Sequence, residues 1–123
     1  MMLKTFALAA AVILASAVPA AAESLCSEPI APAAVNGAVI THDQLMAAMA
    51  DASTFIKQSD GYQDCLNKEY DVAVADAKKK KTDVDPALLP AKQAKIQANQ
   101  ALKEKVGAEF NAASHAWHAA HPG

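Results

Sequence analysis

The sequence predicts an all-α protein. It reads as a long antiparallel two-helix hairpin, with helices over about 41–81 and 90–120, and an extended N-terminal strip stapled to it by a disulfide. Three observations predict this. Apolar residues recur at steps of three and four over two long stretches. A proline-containing break, "TDVDPALLP", separates them. The only two cysteines, Cys26 and Cys65, stand before and inside the first stretch. The chain divides into a leader over 1–22, an extended segment over 23–40 and a helical domain over 41–121.

The leader has one charge, Lys4, then an apolar run from Phe6 to Val18. It ends in small residues, with Ala20 and Ala22 in the A-x-A positions before Glu23. That is the pattern of a secretory signal peptide cleaved after about Ala22. The run is shorter than the roughly 20 residues needed to span a bilayer, which separates it from a membrane anchor. Nothing later in the sequence is apolar enough to span, so no stable membrane insertion is expected. Cleavage implies a periplasmic or secreted protein. Without Lys4 the chain keeps ten lysines and 13 acids, a net charge of −3. There is no arginine, and nucleic-acid binders usually carry a basic, arginine-bearing face. Large apolar residues are few, and small domains with thin cores need a staple or a partner.

Export supplies the staple. Two cysteines in an oxidising compartment have one intramolecular pairing, Cys26 with Cys65. A helix that starts near His42 and contains Cys65 runs about 35 Å between them. The segment Cys26–Thr41 must double back along that helix, and its 15 residue-to-residue steps reach about 50 Å when extended. Pro29 and Pro32 favour an extended strip, and Asn36-Gly37 is a natural bend. The closed loop of about 40 residues contributes about 4 kcal/mol in the chain-entropy model.

The first helix opens on Thr41 with Gln44 three residues on, a capping-box pair. Its expected face is Leu45, Met49, Ala52, Ile56, Ser59, Tyr62, Leu66, Tyr70 and Ala73. Gly61 is a weak point, costing about 1 kcal/mol relative to alanine. Lys78–Lys81 fall at the negative helix end, where cations are favoured; such a run can also touch anionic lipid. Pro90 suits the first turn of the second helix. Ile96, Asn99, Leu102, Val106, Phe110, Ala113 and Trp117 form that helix's face, and Pro122-Gly123 stops it. Asn99 reads either as a register-setting polar residue in a helix seam or as a sign that this face is rotated.

Folding about Asp85 and Pro86 pairs positions whose numbers sum to about 171. Trp117 is then expected against Phe55, Phe110 against Tyr62, and Ile96 against Val74. This register leaves Leu45, Met46 and Met49 overhanging the second helix, either covered by the strip or free as an association patch.

Several of these elements together resemble a group of small secreted alphaproteobacterial proteins. The shared features are an early cysteine followed by prolines (Cys26, Pro29, Pro32), Asn36-Gly37, and an FIxxSDxYxxCL core. That core is met by Phe55-Ile56, Ser59-Asp60, Tyr62 and Cys65-Leu66. A late V-x-x-x-F-N element is met by Val106, Phe110 and Asn111. The resemblance spans most of the chain after the leader. It implies an architecture and an exported address, and transfers no catalytic residue. "ITHDQ" is also similar to the L-T-x-x-Q of small periplasmic helical chaperones, although a capping box gives the same letters.

The most chemical stretch is "SHAWHAAHPG". His115, His118 and His121 recur every three residues, a spacing from which neighbours can share zinc, copper or nickel. The alternative is a solvated, frayed helix end. Ser59, Asp60 and Tyr62 are close in sequence, but no base is placed to activate the serine. There is no glycine-rich phosphate loop and no metal-hydrolase motif, so the sequence argues against an enzyme. It points to an exported binding or structural module, with a homodimer or an unidentified envelope protein as partner. Weak metal binding through the histidines is the alternative, and a chaperone-like role the third.

Overall fold

The computed structural model describes residues 24–123; the leader and its cleavage point lie outside the described residues. Two helices follow an irregular strip: α1, His42–Lys79, and α2, Leu88–Ala120. They pack against each other as a hairpin, and a disulfide joins Cys26 to Cys65.

The start of α1 follows from its first residues. Thr41 has extended backbone, its Oγ1 accepts from the Gln44 amide at 3.1 Å, and the Gln44 side chain accepts from the Thr41 amide at 2.9 Å. Two of the amides a helix start leaves without intrahelical partners are thereby satisfied. The other end is closed less predictably. The Thr82 amide donates to the Ala77 carbonyl and the Lys81 amide to that of Lys78, with Lys81 in the left-handed region at φ 52°. These are the two bonds of a Schellman cap, in which the left-handed position usually belongs to glycine. Here a lysine holds it.

Asp85 then sets the turn into α2. Its Oδ1 accepts from the Ala87 amide at 2.9 Å, and its carbonyl accepts from the Leu88 amide. Pro90 falls in the first turn of α2, where no amide is needed.

The buried residues of α1 are Leu45, Ala52, Phe55, Ser59, Tyr62 and Leu66. Those of α2 are Asn99, Val106 and Ala113. Steps of seven, or of three and four, mark the seam of a left-handed helix pair. The stripe on α1 is rotated from the expected one: Phe55 is buried, while Ile56 is half-buried and Met49 exposed. Ala52, Phe55 and Val106 form the core cluster, with Ala31, Leu102 and Phe110 packed on it. Ala31 comes from the strip, so the core has three layers at this level.

The observed register differs from the expected one. Ser59 meets Asn99, Asp60 meets Lys103 and His42 meets Trp117, so paired numbers sum to about 160 rather than 171. The reason is the Schellman cap, which turns the chain at Lys80–Thr82 instead of at Asp85-Pro86. Two expectations fall with the old register. Trp117 does not lie against Phe55 but reaches the first turn of α1. The overhang disappears as well: Leu45 is buried within the chain, and of the expected association patch only Met46 and Met49 keep appreciable exposure.

The strip is seated at both ends. Gly37 is buried, and a Cβ built on it would stand 1.8 Å from the carbonyl oxygen of Ala113. Its φ is not positive, so close backbone approach explains the glycine rather than the need for a left-handed turn. Asn36 shapes the bend beside it, its Oδ1 accepting from the Ala38 amide and its carbonyl from the Val39 amide.

Candidate functional site

The first candidate is the strip and its disulfide. The Cα atoms of Cys26 and Cys65 are 5.8 Å apart, within the ordinary range for a bridge. Beside it, one carboxylate oxygen of Glu69 accepts from the Ser24 hydroxyl at 3.2 Å and from the Leu25 amide at 3.0 Å. The same oxygen lies 3.5 Å from the Cys26 sulfur. Glu69 therefore fastens the start of the strip to the helix that carries Cys65. Burial pushes the Tyr62 phenol above its ordinary range, and the negative charges of Glu28 and Glu69 push it in the same direction.

Three large apolar residues of the strip face outward: Leu25, Ile30 and Val39 are 94%, 91% and 77% exposed. Two open grooves flank the disulfide. Cys65 and Gly61 belong to both; Leu25, Lys68 and Val72 line one, and Glu28, Ile30 and Tyr62 the other. A single exposed apolar residue on a protein surface is unremarkable. Here three sit on one segment tied down at both ends, so their presentation is fixed by covalent and packing constraints.

The second candidate is the histidine end. His118 and His121 meet at Trp117. The His121 ring stacks on the indole with centroids 4.3 Å apart, and its Nδ1–H donates to the Trp117 carbonyl at 2.8 Å. His118 meets the indole edge-on and His42 arrives from α1, each at 5.2 Å. His115 stays exposed and takes no part in this stacking. Among the described residues no group of three or more His, Cys, Asp or Glu side chains is placed to hold a metal ion. The rings of His42, His118 and His121 gather on the indole of Trp117, while His115 stands apart from them. The Trp117 Nε1 is buried without a hydrogen-bond partner.

The third feature is polar and lies in the seam. Asn99 and Ser59 are fully buried; the Asn99 amide donates to Ser59 Oγ at 3.1 Å, and its oxygen accepts from Gln63 at 2.9 Å. Lys103 and Asp60 pair beside them. Asn99 therefore faces the partner helix squarely. A satisfied buried amide of this kind specifies register, because any slip strands its donors and acceptors. The sequence showed Ser59 and Asn99 on the two apolar faces but gave no sign that they would meet, since that depends on the turn.

The elements define a disulfide-stapled helical hairpin with a covered groove. Comparison with protein-family models, with curated proteins and with solved structures finds no match. Among the described residues no helix is long and apolar enough to cross a membrane.

Proposed function

We propose that the protein is exported and acts in the periplasm or outside the cell as a binding or structural module, by surface recognition rather than catalysis. The observation that carries this reading is the tethered strip with Leu25, Ile30 and Val39 turned to solvent. Ordering an apolar segment beforehand lowers the entropy cost of docking it against a partner. The disulfide supports an oxidising compartment. The leader-like first 22 residues and the resemblance to small secreted proteins support the same address. The partner is a second copy of the chain or an unidentified envelope protein.

A photo-crosslinking residue at Ile30, introduced into the exported protein in living cells, tests this. The expected result is one discrete adduct, lost when Leu25 and Val39 are both changed to serine. Its mass distinguishes a homodimer from a foreign partner. A cell that yields no adduct at Ile30, with the oxidised protein present at normal level, sinks the reading.

A further inference from the structure

We infer that Glu69 makes the Cys26–Cys65 bridge selective for the charge of the thiol that attacks it, slowing anionic thiols relative to cationic ones. The inference starts from one contact: a Glu69 carboxylate oxygen 3.5 Å from the Cys26 sulfur. Both sulfurs belong to partly exposed residues, and Cys65 lines two open grooves, so the bridge is within reach of small thiols.

Thiol–disulfide exchange moves negative charge through this point by either route. A thiolate R–S⁻ bonds to one cysteine sulfur, the Cys26–Cys65 bond breaks, and the other cysteine leaves as a thiolate. If Cys65 is attacked, the thiolate forms on Cys26, against Glu69. If Cys26 is attacked, the incoming thiolate must itself approach Glu69. A second thiolate then bonds to the sulfur of the first, the mixed disulfide breaks, and the remaining cysteine leaves as a thiolate; both cysteine thiolates take up protons. In sum the chain gains two electrons and two protons, and two thiols are oxidised to one disulfide. On both routes the charge of the transition state develops beside the same carboxylate.

The surroundings reinforce it. Asp64 shares one groove with Glu69, and Glu28 lines the other; among the described residues Lys68 is the only cation lining either. The Tyr62 phenol lies within the same field: burial raises it most, and Glu28 and Glu69 push it in the same direction. The two roles of Glu69 are separable by chemistry. As an anchor it accepts two hydrogen bonds, which a glutamine oxygen also does; as a guard it needs its charge.

The test compares two reductants of similar size at equal thiolate concentration and low salt: cysteamine, which carries an ammonium, and mercaptoethanesulfonate, which carries a sulfonate. Reduction is followed by alkylation and mass. In the native protein cysteamine is expected to be the faster. Glu69→Gln should lower the cysteamine-to-sulfonate rate ratio about fivefold, the size expected for removing one charge a few ångströms from the reacting sulfurs. Glu69→Asp should keep the ratio. Asp83→Asn, which changes net charge equally but at the hairpin turn, should also leave it unchanged. If Glu69→Gln speeds both reagents alike, Glu69 acts only by holding the strip and the inference is overturned. Should the variant fold poorly, the native protein decides: 1 M salt must compress the ratio toward one by screening, and a ratio indifferent to salt overturns the inference equally.

Discussion

The hairpin has two halves that share helices but not a core. In the open half, from Leu45 to Leu66 on α1 and from Asn99 to Ala113 on α2, lies every helical residue that is buried. In the turn half, beyond Leu66 and before Asn99, none is buried, and Val72, Val74 and Leu89 are exposed. The difference is the strip. Two helices side by side leave grooves on both sides of their seam. Where residues 26–37 fill one groove, side chains of α1 and α2 lose their water. Where the strip is missing, similar helix pairing gives only half-burial. Helical propensity and capping make both halves helical; a third layer makes one of them a core.

The sharpest way to break this contrast is to cut the staple. Replacing Cys26 and Cys65 with serine should cost about 4 kcal/mol in a denaturant titration, by the loop-entropy estimate. Hydrogen exchange should rise over Leu45–Leu66 and Asn99–Ala113 while the turn half changes little. Uniform loss along both helices would mean that the halves are one cooperative unit.

Lifting the other end of the strip should act in the same place with a smaller effect. Gly37→Ala drives a methyl into the Ala113 carbonyl, so the strip or α2 must shift. The expected loss is about 1–3 kcal/mol, as for overpacked cores, concentrated on the open half. Melting that equals the native protein's would show that the close contact is not needed.

Asn99 sits where the two halves meet. Asn99→Ala strands the buried Ser59 hydroxyl and takes one of two partners from Gln63, and should cost about 1–2 kcal/mol. Asn99→Leu removes the polar element altogether and should loosen register more than stability. Spin labels on the two helices would then report a second population of distances.

The smallest effects are gains. A Cβ on Gly61 meets nothing within 4 Å, so Gly61→Ala should stabilise by about 1 kcal/mol, seen as a higher denaturation midpoint. Lys81→Gly relieves a left-handed lysine and should give about the same. Because Lys81 lies in the turn half, its gain should leave exchange at Phe55 and Val106 nearly unchanged.

What the sequence made legible follows the same division. Cys26, Cys65, Thr41, Gln44 and the prolines act locally or by simple counting, and the helices, the cap and the bridge came out as expected. The register did not. It depends on where α1 ends, and that end is closed by Lys81 in a position where glycine or asparagine would have been readable. Four consecutive lysines gave no mark of which one turns the chain. A shift of about five residues in the turn then moved Trp117 from Phe55 to His42 and buried Leu45. The i, i+3 spacing of the histidines is visible in one dimension, whereas their gathering with His42 around the indole belongs to the folded shape. The bend at Asn36-Gly37 came out as expected, but the close contact of Gly37 with Ala113 is a tertiary fact that no local rule carries.

Trp117 is the only tryptophan, and the two tyrosines are distributed with it along the hairpin. The indole lies at the open end among three imidazoles, Tyr62 lies buried among the residues of the open half, and Tyr70 sits in the turn half under the Lys92 ammonium, 4.6 Å from its ring. The molecule thus carries one chromophore at each level of its length. Ultraviolet emission excited at the indole speaks for the open end alone, and phenol absorbance for the middle and the turn. Opening of the hairpin from either end can therefore be followed in the unlabelled protein, with the direction of unzipping written in which ring changes first.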